Sequence, residues 1–315
     1  MILKFKTLSL ICRKRVVNLR VELHKYLLIL VILSFGMLDA SAAHKSCSTH
    51  VFSLGAAKLM FDEHGHPCPE LLQICYLTGM PPLDPHQHAL QQINTWAQEN
   101  FLRYHERWDT QTRRFDALAP QLLPLLDQLG LTQAYFPSCK QYRGAIVLGA
   151  TLARVRLRLE YLAELWQQGI RFDDLYFLSS QRPLVKEEVL ADDPLPPQIL
   201  TESQMMCYVW EHLMAADMMK KSLHVHLICS AMKNMVRPNS IDTIQDWLCS
   251  SPPPGHYLVI SNAPHIYRQD FAFQARIPEI YSIETVGPKT QTENMVLLLD
   301  ELARLIFDLC TCLNK

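Results

Sequence analysis

The sequence predicts an α/β protein: a mainly parallel, five-stranded Rossmann-like sheet with flanking helices, preceded by a helical section. Three observations carry this. From residue 144 onward, short apolar runs rich in β-branched and aromatic residues alternate with segments whose apolar residues recur every three or four positions. The runs stop in glycine or small polar turns, which end strands. Strands that alternate with helices need crossover connections, and right-handed crossovers build a parallel sheet.

In chain order, the first 42 residues read as a signal peptide or a signal-anchor. Lys4, Lys6, Arg13, Lys14, Arg15, Arg20 and Lys25 form a basic lead, residues 26–38 are apolar, and Ala40-Ser41-Ala42 offers small residues at cleavage spacing. The apolar run is short against the roughly 20 residues of a membrane-spanning helix, which favours cleavage over retention. Residues 43–140 form a helical section. It is turn-rich up to about residue 85, then carries the stripes Leu90, Ile93, Trp96, Ala97, Phe101 and Leu118, Leu122, Leu125, Leu126, Leu129, with Gly130 placed to end the second helix.

Residues 141–315 form the α/β domain. Residues 144–149 read as a buried strand, and Thr151 is placed to cap a helix with the stripe Leu152, Val155, Leu159, Leu162, Trp166, which Gly169 ends. Residues 174–178 form the second strand, closing in Ser179-Ser180-Gln181-Arg182-Pro183. Thr201-Glu202-Ser203-Gln204 is a capping box into a helix over 205–213. A third strand at 223–229, a short helix at 240–248, a fourth strand at 257–261, a fifth at 279–284 and a closing helix at 293–313 complete the pattern.

Composition excludes some functions. The formal charge is −1 for the whole chain and −6 without the leader, whose seven basic residues outnumber its two acidic ones; this gives no footing for nucleic-acid binding. Nine of the ten cysteines follow the leader, an odd number, with Cys47, Cys68 and Cys75 close enough in sequence for a disulfide. No CxxC pair is present, so neither a zinc ribbon nor a thioredoxin-like centre is expected. His224 and His226 share one face of a strand without a third ligand at telling spacing, and His64, His66 and Cys68 cluster in sequence; buried or surface histidines are the favoured reading, and no metal site is expected. The turn Gly149-Ala150-Thr151 has one glycine where a dinucleotide fingerprint has three, and no GxSxG elbow exists.

Ligands of open α/β sheets lie beyond the carboxyl ends of the strands. The residues there are small and polar rather than strongly nucleophilic, a composition for hydrogen-bonding a sugar or phosphate. His265 is the candidate general acid or base, and Arg268 and Arg154 the anion clamp. Ser179, Glu202 and Asn262 are candidate orienting groups, and Thr151 stands where a helix N-terminus can accept a phosphate. A structural alternative has His265 capping its helix and Arg268 pairing with Asp270 or Glu202. Of Arg154, Arg156 and Arg158, Arg154 and Arg158 share a face opposite the apolar stripe, which predicts a solvated helix surface for at least two of the three, with Arg154 in the first turn the one placed to reach the pocket.

The order of these pieces resembles a family of bacterial envelope-associated proteins that includes SanA, ElyC and YdcF. The resemblance covers about residues 140–290. It rests on Ile146-Val147-Leu148-Gly149, the arginine-bearing helix after it, Ser179-Ser180, Thr201-Glu202, Asp242-Thr243, and Ser261 followed by His265-Ile266-Tyr267-Arg268. The resemblance implies an exported, periplasmic or inner-membrane-anchored protein with a nucleotide-like fold. It also implies a small phosphorylated or nucleotide-like ligand, and S-adenosylmethionine or another nucleotide as cofactor.

Overall fold

Apolar residues on both faces of consecutive strands decide the architecture. The computed structural model describes residues 59–103, 113–186, 195–233, 236–290 and 293–313. Among these, five strands form one all-parallel sheet: β1 Gly144–Leu148, β2 Asp174–Ser180, β3 His224–Ser230, β4 Gly255–Ile260 and β5 Tyr281–Val286, in the order β3-β2-β1-β4-β5. The register places Ile146 beside Tyr176 and Val259, so β1 lies at the centre. The order reverses between β1 and β4, which is the topological switch point of a doubly wound sheet.

The helices in chain order are α1 Pro69–Leu77, α2 Ala89–Asn100, α3 Ala119–Gln128, α4 Leu152–Gln167, α5 Glu202–His212, α6 Asp217–Lys220, α7 Ser240–Cys249, α8 Ile266–Gln274 and α9 Met295–Leu313. Alternate strand residues feed two cores. Ala145, Val147, Leu175, Phe177, Leu258 and Ile260 pack with Leu152, Val155, Leu159 and Leu162 of α4 and with Met205, Met206 and Trp210 of α5. Ile146, Leu148, Tyr176, Leu178, Tyr257 and Val259 pack on the other face with Ile244 and Trp247 of α7 and Phe273 of α8. A sheet covered on both faces requires strands without polar alternation, which is what β1, β2 and β4 supply. Each such side chain, taken fully out of water, contributes about 1.5–3 kcal/mol.

The predicted stops operate. Gly130 and Gly169, at φ +74° and +91°, take the left-handed conformation just after α3 and α4. Thr201 and Gln204 complete the capping box of α5 in both directions. Thr151 occupies the N-cap of α4 but makes no side-chain capping bond. The fifth strand lies two residues later than the sequence pattern places it. β3 is an edge strand whose residues are largely exposed, since it pairs with β2 alone.

Phe52–Thr311 form one compact unit, so α1 to α3 and the sheet belong to the same body. A second unit, Met1–Val51 with Cys312–Lys315, falls almost entirely outside the described residues, as do the predicted leader and Cys47. Cys68 and Cys75 are free thiols, and Cys68 Sγ accepts the Leu71 N–H at the start of α1. No helix among the described residues is long and apolar enough to cross a membrane.

Candidate functional site

A polar cleft of about 480 Å³ opens at the carboxyl ends of β1 and β2, beside the switch point. Its described lining includes six arginines, Arg103, Arg154, Arg158, Arg237, Arg268 and Arg304, against three carboxylates, Glu202, Asp300 and Glu301. The turn after β1 forms its floor through Leu148, Gly149 and Ala150, and His265, Gln269 and Thr243 face it from α8 and α7.

Chain geometry explains how the charges arrive there. Arg158 is 1% exposed: its Nε donates to Asn262 Oδ1 at 2.9 Å and its Nη1 to the carbonyls of Leu148 and Gly149 at 2.6 and 3.2 Å. The solvated surface predicted for it is therefore corrected. α4 leaves the switch point pressed against β1, so its second turn faces the unpaired carbonyls that end the strand, and a guanidinium satisfies them. Arg154, one turn earlier, lines the cleft with neither hydrogen bond nor ion pair among the described residues. Burial pulls its pKa down, Glu301 opposes this and Arg103 adds to it.

Glu202 is spent on structure as well as surface. Its Oε2 accepts from the Ser180 N–H at 3.1 Å and Oγ at 2.6 Å, and its Oε1 meets Arg182 Nε and Nη2 at 3.2 Å. A Cβ on Gly149 would stand 2.9 Å from Glu202 Cδ, so the one glycine in this turn makes room for that carboxylate. Ser180, rather than its neighbour Ser179, meets Glu202 and lines the cleft, because consecutive strand residues project to opposite faces. Ser179 is buried with its hydroxyl unpartnered.

The innermost group is built from two helices. His265 stands at the N-cap position of α8 and makes no side-chain capping bond; the Asn262 carbonyl accepts its backbone N–H. Arg268 Nε donates to Glu301 Oε1 at 2.6 Å, and His265 Nδ1 lies 2.8 Å from Glu301 Oε2. The latter contact is at ion-pair distance but off the hydrogen-bond axis, and neither ring nitrogen has an aligned partner. Burial lowers the pKa of His265 to about 4, more than Glu301 raises it, so the imidazole is neutral near pH 7. Burial acts to raise Glu301, but Arg268 and then His265 outweigh it and hold the carboxyl far below the usual range. A carboxylate facing Nδ1 favours the tautomer with the proton there, leaving Nε2 as an acceptor.

Asp300 and Glu301 are two adjacent acids, 1% and 2% exposed, in an otherwise apolar stretch of α9. Asp300 pairs with Arg103 at 2.9 Å and Arg304 at 3.1 Å, which ties the segment after α2 to the cleft. Charges this deeply buried must be paired, so an acid doublet inside an apolar helix was the available signal for this half of the site.

Of the residues expected at the site, His265, Arg268, Arg154 and Glu202 line the cleft together. Asn262 lies behind it, holding Arg158, and Thr151 and Ser179 are not in its lining. Arg268 pairs with Glu301, not with Asp270 or Glu202. No protein-family model, curated protein or solved structure matches the chain.

Asp270, on α8, accepts from Thr285 Oγ1 at 2.8 Å, and burial raises its pKa to about 6, more than Thr285 lowers it. Between about pH 4 and 6 the folded state therefore holds a proton that the unfolded state releases, and stability falls as pH rises through that window. Asp270→Asn removes the buried charge while keeping an acceptor for Thr285. Chemical denaturation is expected to show the variant more stable than the parent by about 3 kcal/mol at pH 7, with the gap vanishing near pH 4. A gap independent of pH would contradict this origin.

Proposed function

We propose that the protein is exported and envelope-associated, and that its cleft binds or processes a phosphate- or nucleotide-bearing metabolite of cell-envelope biogenesis. The observation that carries the ligand part is a cleft with six arginines and three already-paired carboxylates, in which Arg154 has no partner among the described residues. Phosphate oxygens supply the charge and the multiple acceptors that match the Arg154 guanidinium. His265, neutral and with Nε2 unpartnered, supplies a base or an acceptor within the same cleft. Arg268 and Arg154 are the clamp.

The basic-apolar-small leader and the likeness to the SanA, ElyC and YdcF family support export to the periplasm, with anchoring in the inner membrane through residues 26–38 as the alternative form. S-adenosylmethionine fits this cleft poorly, since its sulfonium cation would enter an excess of guanidiniums. A nucleoside diphosphate is the better match. The second reading, a non-catalytic envelope binding or scaffold protein, is favoured by the absence of a strong nucleophile among the cleft-lining residues.

Calorimetric titration with a nucleoside diphosphate and with S-adenosylmethionine tests the ligand. Arg154→Ala is expected to weaken nucleoside diphosphate binding about ten- to hundredfold, the loss of one or two charge-assisted hydrogen bonds, with an unchanged melting temperature. Equal affinity in parent and variant would overturn the assignment. In cells, loss of the biological effect in a folded His265→Ala variant supports an enzyme, and full complementation supports the binding protein. Amino-terminal sequencing of the mature protein tests export.

A further inference from the structure

Outside the cleft lining, at β4 and β5, three residues far apart in sequence converge. Cys139 comes from the segment before β1, His256 from β4 and Glu284 from β5, and one ligand atom from each lies within 4.8 Å of the other two. We propose that Cys139, His256 and Glu284 hold a zinc ion.

Register produces the pairing. His256 stands beside Ser282 and Leu258 beside Glu284, so His256 and Glu284 are diagonal neighbours on one face of the sheet. Their Nε2 and Oε2 atoms are 3.8 Å apart. A tetrahedral zinc with bonds of about 2.0–2.3 Å separates its ligand atoms by roughly 3.3–3.7 Å, so this pair is already near ligating distance. Cys139 is exposed, and its Sγ lies within 4.8 Å of both other ligand atoms.

The outer contacts are those of a ligand set held in place. His256 Nδ1 meets Ser282 Oγ at 2.9 Å, and a proton on Nδ1 leaves the Nε2 lone pair toward the site. Glu284 Oε1 accepts the Ser138 N–H at 2.7 Å, and its Oε2 accepts from Ser138 Oγ at 3.1 Å. Tyr142 joins all three ligands: its hydroxyl donates to Glu284 and accepts the Cys139 N–H at 3.2 Å, and its ring stacks on His256 with centroids 5.0 Å apart. Thiolate, imidazole and carboxylate together suit zinc rather than calcium or magnesium. On binding, the Cys139 thiol releases its proton to solvent, and the fourth position of the metal faces water.

Cobalt titration of the reduced full-length protein tests the site. The expected result is one cobalt per chain with a thiolate-to-metal charge-transfer band, displaced by zinc. Cys139→Ser is expected to lose the band, and both it and His256→Gln to weaken binding more than about tenfold, with circular dichroism unchanged. Saturating zinc should also protect the Cys139 peptide from alkylation, with the exposed Cys249 as an internal control. An unchanged band and affinity in Cys139→Ser, or alkylation of Cys139 at the same rate with and without zinc, would overturn the proposal.

Discussion

Glu202→Ala is expected to destabilise the protein by about 3–5 kcal/mol, the cost of deserting a buried charge. Arg182 is 4% exposed, and its guanidinium also donates to the carbonyls of Ala150 and Pro183 at 3.2 and 3.4 Å, neutral acceptors that do not balance its charge. Removing the carboxylate also leaves the Ser180 N–H and hydroxyl without their acceptor at the end of β2. Glu202→Gln keeps an acceptor and nearly the same volume, so its loss is smaller. Arg182→Met combined with Glu202→Leu is expected to recover most of the stability, because a buried ion pair replaced as a pair costs little. Urea denaturation at neutral pH measures all three. A loss below about 1 kcal/mol for Glu202→Ala would show that Arg182 finds water when its partner goes.

The sheet was legible because burial on both faces leaves a local mark. Gly144–Leu148 and Asp174–Ser180 are fully buried in every position, so their composition needs no knowledge of their neighbours to be read. β5 was harder: Tyr281, Ser282 and Glu284 are only partly buried or exposed, its apolar signal is broken, and its start shifts by two residues. Arg268 and His265 were legible as site residues because a strand end followed by a helix fixes their place. Their partner was not, since Glu301 lies 33 residues beyond Arg268 on an element whose packing angle the sequence does not specify. Arg103 was hidden for the same reason, in a section that local patterns show only as helical. Arg158 misled because a charged face opposite an apolar stripe means solvent only where nothing else packs there, and here β1 ends against it.

Glu301→Ala is expected to cost about 3 kcal/mol, at the lower end for a broken buried pair because Arg268 keeps about a quarter of its side chain in solvent. The loss has a pH signature. The folded-state pKa of Glu301 is depressed well below its unfolded value, so its contribution is fully present above about pH 4.5 and declines as pH falls below that. The stability gap between the parent and Glu301→Gln is therefore expected to be widest near neutral pH and to narrow toward pH 3, read from urea midpoints across the series. A gap that stays constant down to pH 3 would mean that packing, not charge, holds the group together. Because the same carboxylate sets Arg268 and faces His265 Nδ1, the variant also frees both cleft residues from their present orientation. Anion binding is then expected to lose geometric selectivity: a nucleoside diphosphate and inorganic sulfate should approach one another in affinity, since the net positive charge of the cleft rises while its fixed donors do not.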